Sequence, residues 1–224
     1  MNALSNVETR GGKTSPPYIG FTPDVFPTAI HTAEGVSVEY VHDATTSWYV
    51  FRASYGREDQ ASNQLLNAGI FTYIAKRYTY KIVRGRRQRV LENLIPNLLF
   101  AYTTKEEAER CVKNTSALAY LTYYYNHFET NEFGKNPPLT ISSREMENFI
   151  LATCSHNEHL LLVRPSQCHY KSGDPVKVID GPFCGVTGRV ARVSGQQRVV
   201  VTLSAVGLVS TAYIPTAFIE KLGC

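Results

Sequence analysis

The sequence predicts an α+β protein in which a mixed helix-and-sheet domain precedes a small closed β-barrel. Three observations carry this reading. In residues 173–201, Val176, Val178, Val190, Val193, Val199 and Val201 recur among polar residues at the spacing of half-buried antiparallel strands. Gly181, Pro182, Gly185 and Gly188 stand between them and supply the bends that tight connections need. Upstream, from Ser47, aromatic and β-branched runs alternate with helical segments. The chain has 224 residues, more than such a barrel uses, so at least one further domain lies before it.

Residues 1–44 read as a largely irregular extension, because Pro16, Pro17, Pro23 and Pro27 oppose regular structure. Gly35–Val41 alternates and is expected to form one short strand. Residues 45–155 read as the mixed domain. Trp48–Ser54 is a strand. Glu58–Asn67 is a helix with acidic residues in its first turn, ended by Gly69. Phe71–Ala75 returns as a strand. Tyr78–Val83 and Arg89–Leu91 flank Arg84, Gly85, Arg86 and Arg87, which read as a hairpin tip. Leu94–Tyr102 is an apolar strand with Pro96 near its start.

Thr104 caps a second helix running to Lys113. Leu118–Tyr125 is strand-like and tyrosine-rich. Pro137 and Pro138 mark a loop. Ser143–Thr153 is a third helix, with a serine cap and a glutamate three positions on. This β-α-β-β-α-β order, with an added helix, is the split βαβ pattern of ferredoxin-like domains. Helices are expected on one sheet face, leaving the other partly open for docking. Residues 156–172 read as a linker containing one possible strand at His159–Val163, and residues 173–224 as the barrel. There, Ser194–Gln197 is a turn and Val206–Phe218 adds a strand and a closing bend at Pro215.

Composition narrows the classes. Hydrophobic residues make up 43% and charged residues 19%, as in ordinary soluble domains. The formal charge of +4 permits nucleic-acid contact without demanding it. No secretory leader and no apolar run of membrane-spanning length is visible. Five cysteines at irregular spacing make no disulfide framework. A cytoplasmic setting is expected.

The motifs together resemble NusG-type transcription elongation factors, an NGN domain followed by an SH3-like KOW barrel, over residues 45–222. Trp48 and Tyr49 open the NGN pattern, Gly56 and Glu58 begin the first helix, and Leu94–Phe100 fits the family's apolar strand. The KOW signature is carried by Gly173, Asp174, Gly181, Pro182, Phe183, Gly185 and Gly188. The run Lys81–Arg87 looks like the hairpin of RfaH-like paralogues. The tail from Gln197 to Leu222 is closer to UpxY-type antiterminators of capsular polysaccharide operons.

The resemblance implies a non-enzymatic factor that suppresses pausing or premature termination. It docks through an apolar NGN patch on the clamp helices of the largest subunit of bacterial RNA polymerase. Arg52, Ile95, Leu98 and Phe100 stand at the polymerase-binding positions. Leu98 and Phe100 share strand parity, and Arg52 replaces an aromatic contact residue. Contact with the non-template DNA strand is implied for Arg57, Gln60, Gln64 and Asn67, which fall on one face of the first helix. The hairpin arginines Arg84, Arg86 and Arg87 join them as phosphate or carboxylate partners. The KOW domain is implied to bind a ribosomal protein or a termination factor. Two other readings stand beside this one: a housekeeping elongation factor of the same family, and an RNA- or ribosome-binding KOW protein.

No phosphate-binding, dinucleotide-binding or serine-nucleophile motif appears, so no catalytic residue and no cofactor is expected. Cys154, His156, His159, Cys168 and His169 are of zinc-ligand type, but their spacing fits no standard site and no metal is expected. Tyr120, Tyr123, Tyr124 and Tyr125 are expected to pack in the sheet before they stack on bases.

Overall fold

The computed structural model describes residues 29–31, 37–39, 45–113 and 116–222. The expectations for the rest of residues 1–44 lie outside the described residues. Strands β1 (Ala29–His31) and β2 (Ser37–Glu39) pair antiparallel.

Strand β3 (Thr46–Ala53) leads through a 3₁₀ turn (Ser54–Gly56) into α1 (Glu58–Asn67) and β4 (Phe71–Tyr73). β5 (Lys76–Val83) and β6 (Arg86–Asn93) form a separate two-stranded arm. β7 (Leu98–Thr104), α2 (Lys105–Lys113) and β8 (Leu121–Tyr123) follow, then β9 (Thr140–Ile141) and α3 (Ser143–Thr153). The first sheet runs β4-β7-β3-β8, with β9 also on β3, and every pairing is antiparallel. The apolar strand is shorter than expected. It starts at Leu98, because Asn97 takes φ +64° and turns the chain after Pro96.

Strand parity decides the two faces. Tyr49, Phe51, Leu99 and Ala101 point to one side and pack with Ala61 and Leu65 of α1 and Ala108 and Cys111 of α2. Trp48, Val50, Leu98, Phe100 and Tyr102 point to the other, where Met146, Phe149 and Ile150 of α3 cover them. The expected open face is therefore corrected. α3, started by Ser142 accepting from the Glu145 N–H, lies on it and makes it core. Each large side chain buried there contributes about 1.5–3 kcal/mol.

The second sheet is antiparallel in the order β10-β14-β13-β12-β11-β15, from β10 (Leu161–Val163), β11 (His169–Val178), β12 (Thr187–Val193), β13 (Gln196–Leu203), β14 (Gly207–Tyr213) and β15 (Ile219–Lys221). β10 and the start of β11 come from the stretch read as linker, which thus adds strands to this sheet. β13 is buried on both faces. Val199 and Val201 join the main core, and Val200 joins a smaller cluster with Val163, Ala191 and Val193. Ser194 and Gly195, at φ +50° and +79°, make the two-residue turn between β12 and β13.

α3 joins the two sheets into one continuous core, since Phe149 and Ile150 cluster with Phe100 on one side and Val176 and Val199 on the other. Polar contacts fix the join. The Asn148 amide donates to the Thr187 carbonyl at 2.9 Å and accepts from the Thr187 N–H at 2.8 Å. The Glu145 carboxylate accepts from the Ser204 N–H. The buried Arg198 guanidinium donates to the carbonyls of His159 (2.7 Å) and Thr211 (2.9 Å), tying the inter-sheet segment to β13. Burial lowers its pKa from the ordinary arginine value.

Candidate functional site

Of the four residues singled out on the first sheet, only Arg52 is exposed. It lies across from Leu98 at the end of β3. Ile95, Leu98 and Phe100 are buried, and the Phe100 ring meets Phe149 of α3 with centroids 5.5 Å apart. Tyr73, on the neighbouring strand, shares a 2.7 Å hydrogen bond with Thr153, and burial raises its pKa. The apolar stripe legible in Leu94–Phe100 is therefore real but occupied by the chain itself.

The α1 face is arranged differently. Glu58, buried at its first turn, accepts from the Asn97 N–H at 2.5 Å and braces α1 against the turn before β7. Arg57, Gln60 and Asn67 remain exposed, while Gln64 is half-buried with its Oε1 lacking a hydrogen-bond partner. The Arg57 guanidinium lies 5.0 Å from the centre of the Tyr120 ring and 5.8 Å from that of Tyr55. Together with Ser54, Gln60 and Thr122 they line an open groove of about 500 Å³. Burial raises the pKa of Tyr120, against the opposing pull of Arg57, and its hydroxyl has no partner. This groove offers a cation, aromatic faces and amides, the groups that hold a base and its phosphate.

Sequence reasoning found the helical stripe but not Tyr55, which takes φ +64° and stands 88% exposed in the turn before α1. An exposed tyrosine beside Gly56 was the available signal. Tyr123 proves to be packing: it stacks on Phe51 at 5.5 Å, and burial pushes its pKa up to about 12.

The β5–β6 arm concentrates positive charge. Arg84 and Gly85, at φ +51° and +74°, form its two-residue tip, the mirror-image turn that matches strand twist. Lys81 and Arg77 both pair with Glu92, at 2.9 and 3.2 Å, and Lys76 pairs with Asp59 at 2.5 Å. Arg84, Arg86, Arg87 and Arg89 have no carboxylate partner among the described residues. At its base, Arg77 donates to the Leu160 carbonyl at 2.8 Å and Tyr78 meets His156 edge-on. Burial, aided by Lys76, lowers the His156 pKa.

In the second sheet, Gly181 and Gly185 take φ +80° and +92°, and Phe183 is buried. Gly188 serves a different need. An added Cβ would sit 2.4 Å from the Val200 carbonyl oxygen, so β12 and β13 can pair there only without a side chain. Gly173 and Asp174 lie within β11. Among the described residues, no group of three His, Cys, Asp or Glu side chains converges as a metal site, the Cys154–His169 set included.

The first sheet, its helices and the arm form one contiguous block of sequence. Residues 46–150 match the NusG family model, described as transcription termination factor nusG. The match runs from β3 into α3 and spans a little under half of the 224-residue chain. The NusG-matching region thus contains the α1 groove, the arm and the covered sheet face, and the second sheet lies beyond it. No helix among the described residues is long and apolar enough to cross a membrane.

Proposed function

We propose that this protein is a non-enzymatic transcription elongation factor that engages RNA polymerase through a ferredoxin-like NGN domain and suppresses pausing or premature termination. The NusG match over residues 46–150 carries this reading. On it, the second sheet is an SH3-like KOW barrel whose partner is a ribosomal protein or a termination factor. The α1 groove, lined by Arg57 and Gln60, contacts the non-template DNA strand together with Gln64 and Asn67 further along the helix, and Arg84, Arg86 and Arg87 extend that contact. Capsular or surface polysaccharide operons are the targets favoured by the RfaH-like hairpin and UpxY-like tail.

Docking on the clamp helices through Ile95, Leu98 and Phe100 requires α3 to leave the sheet face it covers. Aspartate at those positions would disrupt the core and report nothing about docking. Arg52 is the residue to change, because it is exposed at the same site. With purified bacterial polymerase, the unaltered chain should bind and shorten pauses in single-round transcription, and Arg52→Glu should weaken both while its thermal unfolding stays unchanged. Failure of the unaltered chain to bind polymerase or change pausing overturns the reading.

A further inference from the structure

We infer that one face of the β5–β6 arm is a stacking platform for single-stranded nucleic acid, built from alternating tyrosine rings and guanidinium planes. The inference deepens the DNA contact proposed for the hairpin arginines and rests on that reading.

Charge points to a polyanion. Residues 76–93 hold Lys76, Arg77, Lys81, Arg84, Arg86, Arg87 and Arg89 against Glu92, so the arm carries +6 in a chain whose total is +4. The remainder of the chain is therefore net acidic, and the positive potential is concentrated on this projection.

Register sorts the arm into two unlike faces. Tyr78 pairs with Leu91, Tyr80 with Arg89 and Ile82 with Arg87, placing all six side chains on one face. There Arg89 lies over the Tyr78 ring at 3.8 Å and Arg87 over Tyr80 at 4.2 Å. Each arginine leans one pair toward the base from its cross-strand partner, so rings and guanidiniums alternate along the arm. Tyr80 remains 47% exposed and Ile82 80% exposed. The opposite face holds Arg77, Lys81, Glu92 and Arg86 but no aromatic ring, and its Arg77 and Lys81 are both engaged by Glu92.

The ladder therefore presents flat, cationic surfaces with rings beneath them, whereas the reverse carries cations without rings. Flat cationic surfaces suit unpaired bases, which stack on rings and guanidiniums while the backbone meets the tip arginines. A duplex hides its base faces and gains only the phosphate contacts.

The test is fluorescence anisotropy of the full chain, without polymerase, against labelled oligothymidylate, oligouridylate of the same length and a duplex. Both single strands should bind more tightly than the duplex. Tyr80→Ala should lose about tenfold or more in affinity with an unchanged salt slope. Tyr80→Phe, which keeps the ring, should bind like the unaltered chain. Arg86→Ala, on the reverse face near the tip, should lower the salt slope by about one phosphate contact. Cross-strand amide NMR contacts verify that each variant keeps the hairpin.

Tighter binding of the uridylate identifies a transcript as the ligand, and tighter binding of the thymidylate identifies a displaced DNA strand. Either ranking supports the platform. Equal affinity for duplex and single strands, or unchanged affinity in Tyr80→Ala, overturns it. Because polymerase is absent, these outcomes are independent of whether the chain binds polymerase.

Discussion

The β3–β7 and β5–β6 ladders are both antiparallel and nearly equal in length, with seven and eight paired positions. Their surroundings are opposite. On β7, every residue from Leu98 to Thr103 is buried, with α1 and α2 on one side of the sheet and α3 on the other. No residue of β5 or β6 is fully buried. The first ladder persists because burial on two faces stabilises it. The second has no core, and depends on its mirror-image turn, on Glu92 between Lys81 and Arg77, and on rings covered by arginines. The difference teaches that apolar content alone does not mark an exposed surface: the most apolar strand is packed against the chain itself, and the arginine-rich ladder stays exposed.

Breaking the buried ladder should cost most. Phe100→Ala should destabilise the whole protein by about 3–5 kcal/mol in chemical denaturation, because Phe149 cannot collapse fully into the space. Asn148→Ala should cost about 1–3 kcal/mol by leaving the Thr187 N–H and carbonyl without that partner. If the sheets behave as one cooperative unit, the loss appears in a single transition; two transitions would show that α3 does not couple them.

In the exposed ladder the effects should be smaller and local. Gly85→Ala, forced to keep φ near +74°, should cost about 1 kcal/mol, read as faster amide exchange in the arm with little change in global unfolding. Arg89→Ala should remove about 0.5–1 kcal/mol of ring contact from the same exchange profile.

The smallest effect should depend on pH. Lys81, by hydrogen bond and then by charge with Arg77, holds the Glu92 carboxyl below its ordinary value of 4.5, with burial opposing. A carboxylate lowered in the folded state stabilises above its unfolded pKa and loses that contribution as pH falls through the folded value. Glu92→Gln should therefore loosen the arm at neutral pH, and the difference from the unaltered chain should vanish as pH falls through the lowered folded-state pKa of Glu92. A difference that persists in acid would assign Glu92 a role other than this ion pair.

Much of the fold was legible locally. Glu58–Asn67 and Ser143–Thr153 form helices at the expected residues, and the hairpin turns where expected, but its tip is only Arg84–Gly85, with Arg86 and Arg87 already paired in β6. Boundaries slipped where backbone conformation intervened, as at Asn97, or where a pairing partner lay far along the chain, as for Leu161–Val163 on β14. The α1 stripe of the site was readable from helical spacing. Tyr120 was not, because it lies far along the chain from Arg57 and meets it only in the fold, and Tyr55 owes its exposure to the positive-φ turn before α1. The Tyr–Arg ladder was latent in the sequence: folding the arm about Arg84 and Gly85 places Tyr78 and Tyr80 beside Arg89 and Arg87.

What the sequence determined by itself was which segments are helix, strand and turn, because propensity, capping and positive-φ positions act over a few residues. It also determined that positive charge is concentrated in one short segment. What only the tertiary structure decided was the use of each apolar face. Leu98 and Phe100 carry the same pattern whether they face a partner or a helix, since burial depends on what the chain brings back across the sheet. α3 comes back across it and joins the two sheets, while the arginine arm stays outside that core.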